Sequence, residues 1–261
     1  MNKVTELKKL KNNTYLLTIT VKNKTKTHVV SEETIIAFNL LSSSELSDSE
    51  YKKMVGQNDD FLLYEKAVHF IDYQMRSISE VKKHLKKSTK DDKQIQTIIK
   101  KLKDQHYLDD ALFVKEFVTQ KIEFDFVGPK YIKQKLIEKG IHYDLIASNL
   151  LAFTDDIQFD KINTLILKET KFPIKKPYHK AYVSLKTKLV GKGFSLRIIE
   201  SAMISNKELI QESCMEEELL ELELSKIIGN YNLDDYKEKD KLLKKMLQKG
   251  FDYELIKNHL S

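Results

Sequence analysis

The sequence predicts a mostly α-helical protein of tandem three-helix (helix-turn-helix-like) repeats in a curved elongated array, with a small N-terminal β-hairpin segment. Three observations carry that reading. Only 7 Gly and 3 Pro occur in 261 residues, about 4% where average usage gives about 12%. The chain is 32% charged and 41% hydrophobic, with one Cys, which excludes a disulfide scaffold and a disordered chain. A short motif of helix end, glycine and helix start recurs along the chain.

The first sixty residues differ from the rest. Tyr15 to Val21 is rich in β-branched and aromatic residues. Lys22-Asn23-Lys24 reads as a polar turn, Thr25 to Val30 as a second strand, and Val4 to Leu10 as a further one. Ser31 before Glu32-Glu33 marks a helix start. Leu41 to Glu50 reads as a loop leading into a short helix, and Gln57-Asn58-Asp59-Asp60 as a polar boundary.

From Phe61 onward the apolar spacing is helical. Leu62, Leu63, Ala67, Phe70, Ile71 and Met75 share one face, and Val81, Leu85, Ile95, Ile98, Ile99 and Leu102 continue it in two further segments. Asp109 is placed to cap the next helix. The repeated motif reads apolar-x-x-Lys-Gly-apolar and then apolar-Ile three residues on. It appears from Leu136 to Ile146, from Leu189 to Ile199 and from Met246 to Ile256, with a weaker copy from Leu85 to Ile95 that has Thr89 in place of Gly. Lys suits the carbonyl end of a helix, and Gly takes the left-handed position that closes it. Ser195 and Asp252 are then expected to cap the following helix, with His142 a poorer cap. One more helix before each corner gives three-helix units at 61–107, 108–154, 155–205 and 206–261, after an N-terminal segment at 1–60.

Three stretches stand out: Ala67 to Leu85, with Tyr73-Gln74-Met75-Arg76-Ser77 before Glu80-Val81; Tyr107-Leu108-Asp109-Asp110 with Phe113, Phe117 and Val118; and Gly128-Pro129-Lys130-Tyr131-Ile132 through Leu136 to Lys139-Gly140-Ile141. In that order they resemble the RecX family, bacterial modulators of the RecA recombinase. The Lys-Gly-Phe corner at Gly193 recurs in the family's third unit. The resemblance covers residues 61 to 205 well, and the N-terminal β segment and fourth unit are similar to the longer type from low-GC Gram-positive bacteria. It implies a non-enzymatic regulator that lies in the groove of the RecA–DNA filament and represses recombinase, ATPase and co-protease activities. That places the chain in recombination, DNA repair and the SOS response. The family is usually Arg-rich, whereas this chain has only Arg76 and Arg197, so most basic contacts would be point charges without bidentate geometry.

The charge pattern agrees with a polyanionic or acidic partner. Net charge is +6. Ser79 to Lys103 holds nine Lys against three acids, and Lys168 to Arg197 eight Lys and one Arg against one acid. Lys237 to Lys249 holds six Lys against two acids, so the middle helix of each unit is basic. The residues expected to meet the RecA filament, or single- or double-stranded DNA, are Arg76, Lys82, Lys83, Lys86, Lys130, Lys133, Lys135, Lys186, Lys188, Lys192 and Arg197. A rival reading is a helical-repeat protein that binds DNA or RNA directly. Glu208 to Glu223 carries seven Glu and reads as one amphipathic helix with its acids in water. Cys214 on that helix reads as a packing residue.

No enzyme signature emerges. The seven His lack metal-ligand spacing, and Gly191-Lys192-Gly193 follows a helix rather than a strand. Glu216-Glu217-Glu218 points around a helix in different directions. The chain is expected to be a cytoplasmic monomer without cofactor, metal, signal peptide or membrane span.

Overall fold

The computed structural model describes residues 1–10 and 14–260. They divide into two compact units, Met1–Phe113 with Lys139–Ile141, and Val114–Glu138 with His142–Ser261.

The first unit begins with β1 (Asn2–Lys9), β2 (Thr14–Val21) and β3 (Lys24–Ser31), joined further on by β4 (Glu45–Leu46) in an antiparallel sheet of order β3-β2-β1-β4. Lys22 and Asn23 turn the β2–β3 hairpin with φ of 48° and 61°, a two-residue turn that matches strand twist. A bulge at Thr5 shifts the β1–β2 register. Along β2 the side chains of Leu17, Ile19 and Val21 alternate into a core with Val4, Val30, Leu40, Leu46 and Met54. Each such buried aliphatic side chain contributes about 2 kcal/mol.

Helix α1 (Glu32–Phe38) starts at Ser31, whose Oγ accepts from the Thr34 amide as the sequence predicts. The expected loop after α1 leads into helix α2 (Asp48–Tyr73), which is long rather than short and runs unbroken through Gln57–Asp60, so the expected boundary is not a break. The reason is Asn58. It is buried, donates to the Val29 carbonyl at 2.9 Å, and accepts from the Ser31 amide and the Thr34 hydroxyl. The polar run therefore ties α2 to the sheet. Ser47 opens α2 and Ser77 opens α3 (Ile78–Leu85), each with a capping box. With α4 (Asp92–Asp104), these helices close over Leu63, Ala67, Val81, Leu85, Ile95, Ile99 and Leu102.

Helix α5 (Asp110–Phe124) is capped by Asp109, which accepts from the Ala111 and Leu112 amides. There follow α6 (Pro129–Glu138), α7 (Tyr143–Leu150), α8 (Asp155–Thr170), α9 (Tyr178–Gly191) and α10 (Leu196–Ser205). The C-terminal part holds α11 (Lys207–Ser213), α12 (Glu216–Ser225), α13 (Tyr236–Lys249) and α14 (Tyr253–His259). The acidic run is thus two helices. Met215 adopts φ 45° between them, and Cys214 is buried with its thiol donating to the Ile210 carbonyl.

Gly140, Gly193 and Gly250 take φ of 74°, 86° and 95° and close the three strong corners as expected. The weaker copy closes differently, with Ser88 and Thr89 amides both donating to the Leu85 carbonyl and no left-handed residue. Asp252 caps α14, whereas Ser195 makes no side-chain cap, and its amide donates instead to Gln158 Oε1.

Each corner also receives the first turn of an earlier helix. Ser77 Oγ donates to the Lys139 carbonyl, and a Cβ on Gly140 would lie 2.3 Å from Ser79 Oγ. The Gly128 amide donates to the Lys192 carbonyl at 2.8 Å, and a Cβ on Gly193 would lie 2.4 Å from the Tyr131 amide nitrogen. A Cβ on Gly250 would lie 2.9 Å from Lys180 Cγ. The amide at the start of each receiving helix is handled consistently. Ile78 donates to Asp110, Tyr178 donates to Glu216, and Pro129 has no N–H to satisfy. The repeat thus recurs in its joints as well as its corners.

Candidate partner-binding surface

The basic residues singled out from the sequence fall on α3, α6 and α9 and beside their ends. Counting back from the corner residue gives their register. Lys82, Lys133 and Lys186 each lie seven residues before Thr89, Gly140 and Gly193 respectively, and Lys135 and Lys188 each lie five before. The buried positions of the same helices, Val81 and Leu85, Ile132 and Leu136, and Leu185 and Leu189, form the core stripe. Lys82, Lys133, Lys135 and Lys186 are half-buried along the flank of that stripe, and Lys188 is exposed.

In the first unit, Lys82 lines an open groove of about 240 Å³ between α3 and α4. Its floor includes Ile78 and Ile99, and its rim carries Lys100 and Lys103 beside Asp104. Lys100 and Lys103 are thus brought to Lys82, although the sequence marked them only as part of a basic stretch. Lys83 is exposed, and Lys86 is exposed and pairs with Asp92 at 3.1 Å.

Arg76 is placed differently. Its guanidinium carbon lies 4.2 Å from the Phe70 ring centroid, and Phe70 is itself stacked with His84 at 4.1 Å. The Arg76 side chain is 17% exposed and sits 4.0 Å from Glu80. It packs between α2 and α3, against the Phe70 ring and Glu80. Burial, with Lys87, Lys66 and Arg76 nearby, holds the His84 imidazole below its usual pKa, so it stays neutral beside the guanidinium. Glu80 also meets Lys139 at 2.8 Å, and hydrogen bonds from Lys139 and Ser77 outweigh burial to lower its pKa.

In the second unit, Lys130 is exposed while its amide donates to the Gly193 carbonyl. The Lys133 ammonium lies 4.6 Å from the Tyr143 ring centroid. Lys135 pairs with Glu138 at 2.8 Å and Lys186 with Glu200 at 2.9 Å. Lys188 pairs with Glu169 at 2.5 Å on the edge of a groove of about 180 Å³ that also holds Lys175 and Lys176. Lys192 turns to the Phe126 carbonyl at 3.3 Å, and the exposed Arg197 pairs with Asp155. Exposed pairs of this kind are worth about 0–1 kcal/mol, so their lysines remain available to a competing anion.

The acids of the C-terminal part have structural partners. Glu216 accepts from the Tyr178 and Asp252 amides, pinning α12 against the starts of α9 and α14. Glu223 bridges Lys226 and Lys249, and hydrogen bonds from both draw its carboxyl down to about 2. Burial, with Glu216 adding to it, pushes the Cys214 thiol up to about 11, which suits packing rather than nucleophilic chemistry. Among the described residues, no group of three His, Cys, Asp or Glu is placed to hold a metal ion, and no helix is long and apolar enough to cross a membrane.

No protein-family model matches the chain. Curated relatives do. The chain is 31% identical over 229 residues to regulatory protein RecX of Oceanobacillus iheyensis, covering 87% of this chain and 84% of that protein. It is 31% identical to regulatory protein RecX of Streptococcus agalactiae, covering 99% of this chain and 98% of that one. A crystal structure of regulatory protein RecX superposes with TM-score 0.55 at 26% identity, over 77% of this chain and 98% of that one. A RecX structure from Lactobacillus salivarius gives TM-score 0.51 at 28% identity, over 57% of this chain and 97% of that one.

Proposed function

The chain belongs to the RecX family, whose members are regulatory proteins and not enzymes, and from that premise we propose that it binds the RecA–DNA filament and restrains it. In this reading the chain occupies the filament groove. It hinders nucleotide-linked rearrangement of RecA and entry of duplex DNA, and so lowers recombinase, ATPase and co-protease activity in the cytoplasm. The contacts are made by Lys82, Lys83, Lys86, Lys130, Lys133, Lys135, Lys186, Lys188, Lys192 and Arg197, with Arg76 acting through the packing of α2 on α3. The functional division follows the sequence, an N-terminal segment at 1–60 and four three-helix repeats at 61–107, 108–154, 155–205 and 206–261, acting as a monomer.

The observation that supports this reading is the recurrence of Lys82, Lys133 and Lys186 at one register of three successive middle helices. Solvated helix faces need lysines, but not at a fixed distance from the corner. A one-dimensional array of equivalent cations suits a partner that is itself a regular repeat. Binding isotherms on bare DNA and on RecA-coated DNA across a salt series test the proposal. Tight binding to the coated DNA with weak, salt-steep binding to bare DNA supports it. Equal affinity for both favours a direct nucleic-acid binder.

A further inference from the structure

Four lysines of the second unit converge on the turn between α5 and α6. Lys161 Nζ donates to the Asp125 carbonyl oxygen at 2.9 Å, and Lys192 Nζ to the Phe126 carbonyl oxygen at 3.3 Å. Lys168 Nζ stands 3.8 Å from the Phe126 ring centroid, and Lys161 Nζ 5.4 Å from it. Lys121 pairs with the Asp125 carboxylate. Two of these contacts have a structural cause, because carbonyls just past the end of α5 attract cations. That cause does not reach Lys168. Its ammonium is exposed, and among the described residues its partner is a ring face.

The charge does not balance. Four ammonium groups and one carboxylate leave three positive charges around Phe126. Elsewhere in this unit Lys135, Lys186 and Lys188 each pair with a different carboxylate. Burial holds the Lys161 ammonium below its usual pKa, and Asp125 only partly opposes it. The cluster therefore gains stability from an added anion. Three ammonium groups around Phe126 suit an anion with more than two acceptor oxygens and more than one charge, which a carboxylate is not and a phosphate is.

We infer that Lys161, Lys168 and Lys192 form a phosphate-binding site beside Phe126, which shares Lys192 with the proposed filament contacts and is separate from the Lys82, Lys133 and Lys186 register. The phosphate belongs either to a nucleic-acid backbone or to a free oxyanion such as pyrophosphate. This site does not depend on the filament reading, since its lysines converge whether or not RecA is the partner.

Thermal unfolding of the full chain tests it without RecA. Millimolar pyrophosphate is expected to raise the Tm by about 3 °C over sodium chloride at equal ionic strength. Lys168→Gln removes an ammonium whose partner among the described residues is the Phe126 ring, so its unliganded Tm should stay within about 4 °C of wild type while the pyrophosphate shift falls by more than half. Lys168→Arg should keep the shift, and Lys241→Gln, at an exposed lysine of α13, should not change it. Displacement of a labelled oligonucleotide by pyrophosphate, lost in Lys168→Gln, assigns the phosphate to a nucleic-acid backbone. Pyrophosphate binding without such displacement assigns it to a free oxyanion. No shift beyond that of sodium chloride, or equal shifts in wild type and Lys168→Gln, overturns the proposal and leaves the filament reading standing.

Discussion

Ser77 Oγ donates to the Lys139 carbonyl oxygen at 2.6 Å, across sixty-two residues of sequence. The same hydroxyl caps α3 by accepting from the Glu80 amide. One side chain thus begins a helix and holds the corner that ends another. At the next joint a backbone donor does the second job, with the Gly128 amide bonding the Lys192 carbonyl. Ser77→Ala removes the cap and the joint together and should cost about 2 kcal/mol. Denaturant midpoints of wild type and variant check this, with the slope expected to stay constant.

The glycines of Gly191-Lys192-Gly193 should respond in opposite ways. Gly193 has φ 86° and faces the Tyr131 backbone, so Gly193→Ala meets both strain and a clash and should cost about 3 kcal/mol or more. Gly191 is the last residue of α9, and a Cβ there meets nothing within 4 Å. Gly191→Ala should therefore stabilise the chain by about 0.5–1 kcal/mol. Thermal unfolding of the two variants reads the difference directly.

Sequence alone made the corners legible, because a left-handed helix end leaves a local signature in Lys-Gly followed by an apolar residue. The joints were not legible, since Gly140 meets Ser79 and Gly193 meets Tyr131 across distances that no local pattern encodes. The same limit explains Asn58. It looked like a boundary residue, and only its bonds to Val29 and Ser31 show why α2 continues. Ser195 looked like a cap, yet its partner is Gln158 on α8. Among the basic residues, the register of Lys82, Lys133 and Lys186 could be counted from the sequence. The convergence of Lys161, Lys168 and Lys192 on Phe126 needed three helices to be placed.

Arg76 should behave as a packing residue. Arg76→Ala loses its stack on Phe70 and should cost about 1–2 kcal/mol, whereas Lys83→Ala, at an exposed position, should stay within about 0.5 kcal/mol of wild type. Urea titrations of both variants check the contrast.

Glu223 should contribute an acid-labile component of stability. Its folded pKa, about 2, lies below the ordinary 4.5, so the folded state binds the proton less readily than the unfolded one. The stabilisation is complete above pH 4.5 and is lost as pH falls toward 2. Glu223→Gln should be less stable than wild type at pH 7, and the gap should close over that window. Melting temperatures of the two proteins from pH 7 to about pH 2.5 measure it.

The central claim is that the equivalent lysines of successive middle helices grip the RecA filament. Its most direct test is inhibition of RecA ATPase on single-stranded DNA by the triple variant Lys82→Glu, Lys133→Glu, Lys186→Glu. These residues are half-buried and outside the core, and a pair such as Lys186–Glu200 is worth about 0–1 kcal/mol, so the variant should fold with a modest loss of Tm. Half-inhibition should require about tenfold or more additional protein, because each reversal places a repulsive charge at the interface. Unchanged inhibition by a folded triple variant would contradict the assignment of this lysine register to the filament.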